Sequence, residues 1–89
     1  MSDVWSALSD RTRRAILSKL RARDMTAGEI AEGFDLSKAT VSHHLSILKK
    51  SGLIVGEKRA QTITYSLNTT VFQEFLKSAA SLLEREEET

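Results

Sequence analysis

The stretch Ser37-Lys-Ala-Thr-Val-Ser-His-His-Leu-Ser-Ile-Leu-Lys-Lys50 decides how the rest of the chain is read. At 100° per residue Val41, Leu45 and Leu48 fall in one narrow stripe, the i, i+4, i+7 pattern of a helix with a single buried face. Ser37 stands where an N-cap belongs, its hydroxyl oxygen free to accept from an early backbone N–H. Gly52 follows the last turn as a C′ residue, and Lys49 and Lys50 suit the negative end of the helix dipole. The other side carries Ala39, Ser42, His43, Ser46 and Lys50, which are small, polar and mildly basic, with no carboxylate among them. A helix that enters a DNA groove needs such a side, because bulk holds it off the base edges and a carboxylate is repelled by phosphate. The stretch reads as a recognition helix.

Working back from it, Thr26-Ala-Gly-Glu29 has the form of a capping box, with Thr26 as the cap and Glu29 reaching back. Ile30 and Ala31 begin the buried face of a short helix that ends near Gly33, and Phe34-Asp-Leu36 leads into Ser37. Two helices joined by a short turn holding a glycine make a helix-turn-helix over residues 26–51, the second helix reading. The same spacing also occurs in helical pairs that bind no DNA. Further upstream, Asp10 caps a helix reaching about Ala22, with Ile16, Leu17 and Leu20 inward and Arg11, Arg13, Arg14, Lys19, Arg21 and Arg23 around it. Residues 3–8 place Val4, Trp5 and Leu8 on one side of a helix too short to stand alone.

After Gly52 the period changes. Leu53-Ile-Val-Gly-Glu-Lys58 and Thr62-Ile-Thr-Tyr-Ser-Leu67 are rich in β-branched and aromatic residues, and Ile63, Tyr65 and Leu67 alternate. They predict a two-stranded hairpin over residues 53–67, a wing, whose tip offers Lys58, Arg59 and Gln61 to a DNA backbone or minor groove. A plain capping hairpin with solvated cations is the alternative. The last helix is expected over residues 69–86, capped by one of Asn68, Thr69 and Thr70. Phe72, Phe75, Leu76, Ala79, Leu82 and Leu83 give it a broad apolar face. Each large apolar side chain is worth roughly 1.5–3 kcal/mol when buried, so leaving this face in water is costly. A second copy of the chain is the expected cover, meeting these residues together with Val4, Trp5 and Leu8. Glu84, Glu86, Glu87 and Glu88 then read as a fraying acidic end.

Composition narrows the function classes. At 89 residues the chain is one small domain, for which a partner subunit would add core. It has no cysteine, which excludes disulfides, thiolate metal sites and cysteine catalysis. No apolar run is long enough to span a bilayer and no signal-peptide core opens the chain, so a cytoplasmic protein without membrane insertion is expected. The net charge of +1 divides unevenly, with +4 on residues 1–68 and −3 on residues 69–89. A basic front and an acidic end fit one face turned to DNA and another turned elsewhere.

The residues also carry a resemblance. Ala7-Leu-Ser-Asp-Arg-Thr-Arg-Arg-Ala-Ile-Leu17, Met25-Thr-Ala-Gly-Glu-Ile-Ala31, Leu36-Ser-Lys-Ala-Thr-Val-Ser-His-His-Leu-Ser-Ile-Leu48 and Ser51-Gly-Leu-Ile54 resemble the ArsR family of bacterial winged-helix repressors, over nearly the whole chain. Tyr65-Ser-Leu-Asn-Thr-Thr-Val71 is similar to its autorepressors. The resemblance implies a mainly α fold with a small β-hairpin, a winged helix-turn-helix assembled as a homodimer. It also implies binding to a double-stranded operator of two half-sites and repression, commonly of the protein's own operon. Two positions depart from the family's habit: Arg11 stands where many members have proline, and Ala60 where the wing tip usually has glycine. If that tip needs φ > 0, alanine there is strained.

Family members that sense metals do so through cysteine pairs or Asp/His clusters. Here cysteine is absent, and the two histidines, His43 and His44, are adjacent on the recognition helix and diverge by 100°. No metal sensing by those routes and no cofactor is expected. Ser42 beside His43 makes no catalytic pair, since no acid is placed to orient the imidazole, so an enzyme is not expected. Ser37, Lys38, Thr40 and the wing cations are expected on the DNA backbone. Ala39, Ser42, His43 and Ser46 are expected at base edges, with His44 nearer the core and a phosphate and Lys50 at the helix end. The rival class is an interaction module that uses the fold without DNA. Without metal ligands, a protein partner that sequesters the repressor is the expected release signal.

Overall fold

The computed structural model describes residues 3–88, with side chains through Glu84; the expected acidic end at Glu86, Glu87 and Glu88 lies outside the described side chains. The chain runs α1 (Val4–Ala7), α2 (Arg11–Ala22), β1 (Met25–Thr26), α3 (Ala27–Phe34), α4 (Lys38–Lys50), β2 (Ile54–Arg59), β3 (Thr62–Leu67) and α5 (Thr69–Glu88). Each main helix starts where its sequence provides an acceptor. Asp10, Ser37 and Asn68 accept from the backbone N–H of Arg13, Thr40 and Val71 at 2.9, 3.1 and 3.3 Å. At Thr26 the capping box closes reciprocally: Thr26 Oγ1 accepts from the Glu29 N–H, and Glu29 Oε1 accepts from the Thr26 N–H at 2.9 Å.

The two helices of the helix-turn-helix end alike. In α4 the Leu53 N–H reaches back to the Leu48 carbonyl and the Gly52 N–H to that of Lys49, with Gly52 at φ +85. In α3 the Leu36 N–H bonds the Ala31 carbonyl and the Asp35 N–H that of Glu32, with Asp35 at φ +52. The turn residue is thus Asp35. Gly33, expected to mark the turn, lies within α3. Aspartate tolerates the left-handed region better than most side chains.

The core is one cluster at the junction of α2, α3, α4 and the sheet. Ile16, Leu17 and Leu20 meet Ile30, Val41, Leu45, Leu48, Leu53 and Ile54, joined by Ala7, Met25 and Ala31. The expected hairpin is a three-stranded antiparallel sheet in the order β1-β3-β2. Met25 pairs with Tyr65 and Thr26 with Thr64, while the wing runs in register from Ile54 opposite Leu67 to Arg59 opposite Thr62. Two residues are too few to show a strand period, so nothing in the sequence announced β1. It ties the entrance of α3 to the middle of the wing, where Tyr65 and Thr64 also face Gly56 and Glu57.

Candidate nucleic-acid interface

Helix α4 presents Lys38, Ala39, Thr40, Ser42, His43, Ser46, Lys49 and Lys50 to solvent, while Val41, Leu45 and Leu48 lie in the core. The outer side is therefore open along its length, and α4 itself carries no acid. The Ser37 hydroxyl donates to Thr40 Oγ1 at 2.9 Å while capping the helix. The Thr40 hydroxyl accepts in that pair and keeps its own proton to donate. Lys38 lines a shallow groove with Glu32 and Asp35, acidic neighbours that α4 alone does not reveal.

His44 stands apart from the rest. Its side chain is 13% exposed, with Nδ1 at 3.3 Å from an Arg13 guanidinium nitrogen and 3.9 Å from Asp10 Oδ2. The ring of His43 is 5.9 Å away, centre to centre, and tilted. Asp10 holds its carboxyl below the usual carboxylate value, chiefly because it accepts the Arg13 backbone N–H, with His44 and Arg13 adding to the effect. Among the described residues no group of three or more His, Asp or Glu side chains converges as a metal site would require.

Lys58, Arg59 and Gln61 are all exposed at the wing tip. Arg59 Nε donates to Glu57 Oε1 at 2.7 Å, so part of the tip's positive charge is engaged by an acid two residues away. The loop between the paired Arg59 and Thr62 is the dipeptide Ala60-Gln61, and Ala60 holds φ +57. A positive φ at the first loop position alone is the pattern of a II′ turn, where glycine is preferred. Alanine at the tip is therefore strained.

The residues expected to meet a second copy divide in two. Val4, Leu8 and Phe72 pack partly against the chain's own core. Trp5, Leu76, Leu82 and Leu83 stay exposed, and Phe75 and Ala79 are half-buried. Trp5 and Phe75 meet edge-to-face with ring centres 4.8 Å apart, fastening α1 to α5. Among the described residues no helix is long and apolar enough to cross a membrane.

A helix-turn-helix whose second helix keeps an open polar side, followed by a β-wing, defines a winged helix-turn-helix protein. The sequence profile of the family described as "Bacterial regulatory protein, arsR family" matches residues 10–55, more than half of the chain. The chain belongs to the ArsR family. It is 54% identical over 74 residues to the transcriptional repressor SdpR of Bacillus subtilis, covering 83% of this chain and 82% of that protein. It is 34% identical over 79 residues to the HTH-type transcriptional regulator NmtR of Mycobacterium tuberculosis, covering 89% of this chain and 66% of that longer protein. A crystal structure of an ArsR family transcriptional regulator superimposes with a TM-score of 0.82 at 29% identity, over 96% of this chain and 88% of that one. HlyU from Vibrio cholerae does so with a TM-score of 0.75 at 29% identity, over 89% and 86%.

Proposed function

We propose that this chain is a sequence-specific transcriptional repressor, in keeping with autorepression, that binds a two-half-site operator as a homodimer. The observation that carries the reading is the outer side of α4, fully open and free of acids on the helix itself. The repressor named among its relatives supports the outcome of binding. Ala39, Ser42, His43 and Ser46 face base edges, while Lys38, Thr40, Lys50 and the wing tip with Lys58, Arg59 and Gln61 hold the backbone. The exposed apolar face of α5, with Trp5 beside it, meets its copy across a two-fold axis. That pairing sets two recognition helices about 34–36 Å apart, one turn of DNA. The protein is a regulator and not an enzyme, works in the cytoplasm, and is released by a sequestering protein partner instead of by metal.

The test is a gel shift at moderate salt with duplexes enriched from a random pool, alongside the DNA upstream of the chain's own gene. A sequence-selective complex of two chains per duplex is expected. A chain that enriches no sequence and shifts all duplexes alike, or none, is an interaction module instead.

A further inference from the structure

Arg13 of α2 is engaged on three sides. Its Nε donates to the Ala7 carbonyl at 2.7 Å, and one terminal nitrogen donates to the Ser6 carbonyl at 3.3 Å. The other terminal nitrogen lies 3.3 Å from His44 Nδ1 on the recognition helix. The carbonyls belong to the end of α1; that of Ser6 also accepts from the Ser9 backbone N–H and hydroxyl at 3.1 and 2.6 Å, so the Ala7 contact is the closer hold. A guanidinium has only donors to offer, so the third contact requires a lone pair on Nδ1. The tautomer that supplies this lone pair is the one with the ring proton on Nε2. The titratable groups brought to His44 are Arg13 and Asp10 from α2 and its cap, and His43 from α4 itself. Protonating Nδ1 would set cation against cation at Arg13. It would also turn the new donor toward Asp10 Oδ2, the oxygen that already caps α2.

We propose that Arg13 is a positioning residue for operator reading: one guanidinium fastens the recognition helix, through the Nδ1 lone pair of His44, to the end of α1. The proposal rests on the DNA-reading role of α4 argued above. Its reach comes from α1, which is joined to α5 through Trp5 and Phe75 beside the apolar face that the dimer would cover. The clasp therefore links the seating of the two chains to the pose of the reading helix. His44 acts through Arg13 and not as a base contact, although its neighbour His43 is fully outward.

Two measurements decide it. Nitrogen-15 spectra of the imidazoles in mildly alkaline solution, without DNA, should show His44 as the Nε2–H tautomer; an Nδ1–H tautomer overturns the clasp. In binding, Arg13→Gln, which breaks the whole clasp, should weaken the enriched operator about tenfold. Affinity for random duplex and the salt dependence should stay as they are. If Arg13 instead grips a phosphate, all duplexes weaken alike and the salt slope falls by about 1, which also overturns the proposal. His44→Gln should add little on top of Arg13→Gln, since the Arg13–His44 contact is already lost, whereas fully additive losses would count against it. His44→Asn, which keeps an acceptor where Nδ1 stands, should retain more operator affinity than His44→Gln. That pair carries the binding test should Arg13→Gln fail to fold, and equal losses in the pair would overturn it. A wild-type chain that selects no operator sinks the DNA reading itself, while an Nδ1–H tautomer in a chain that does select sinks only the clasp.

Discussion

Ala60 holds the wing tip at φ +57, a region where a Cβ crowds the backbone. Ala60→Gly should therefore raise stability by about 1 kcal/mol, read as a higher urea midpoint at unchanged slope. On α4, His43 and Lys38 are both exposed yet differ in the chemistry they offer. His43→Ala should lose on the order of 1–3 kcal/mol on the selected operator while random duplex is bound as before. Lys38→Ala should weaken every duplex alike and lower the salt slope; a loss confined to the operator would reverse these assignments. Asp10 and Glu29 both have their carboxyl pKa lowered, first by the backbone N–H each accepts, from Arg13 and Thr26. A lowered folded-state pKa means that the unfolded chain takes up protons first, so these caps stabilise fully above the ordinary carboxylate range. Their contribution fades as pH falls into that range and below it. Asp10→Asn combined with Glu29→Gln should flatten the acid limb of the stability profile, and an unchanged limb would show that other carboxylates govern it.

Among the glycines, Gly56 of the wing has the least room for a side chain. A Cβ built on Gly56 would lie 3.1 Å from both Ile63 Cγ2 and Tyr65 Cε1, side chains of the facing strand β3. Gly56→Ala should destabilise the chain by about 1–3 kcal/mol through overpacking. Because β3 also pairs with β1, the disturbance reaches the entrance of α3 as well as the tip. Amide exchange should accordingly speed up in β1 along with β2 and β3. Acceleration confined to the tip would mean that the strands yield independently. The recognition helix is better insulated, since its cap at Ser37 and its end at Gly52 are both closed locally.

The molecule measures 52 × 25 × 23 Å, long in one direction because α5 extends past a small core. Leu82 and Leu83 near its end are 52% and 60% exposed, which makes them the clearest places to test the pairing of two chains. Leu82→Glu should leave the monomer folded, since the side chain takes no part in the core cluster. It should also move the sedimentation mass from dimer to monomer and abolish tight operator binding. A variant that still sediments as a dimer would place the interface on another surface. Phe75→Glu is less clean, because Phe75 also holds Trp5 within the chain.

Much of this architecture is written in local chemistry. The caps at Asp10, Thr26 and Ser37, the C′ glycine at position 52 and the inward stripes of α2 and α4 depend on neighbours three or four residues away, so the order of residues suffices to place them. The open outer side of α4 follows from the same periodicity once its inner side is fixed. What depends on distant parts of the chain had no such signal. Strand β1 exists because β3 lies beside Met25 and Thr26. The left-handed turn fell on Asp35 because α3 continued through Gly33 to Phe34. The helical period already turned His44 toward the core, but its meeting with Arg13, 31 positions earlier, required the packing of α2 against α4. Short-range hydrogen bonding and helical period can be read from a string of residues, but contacts between residues far apart in that string form only when the core draws their elements together.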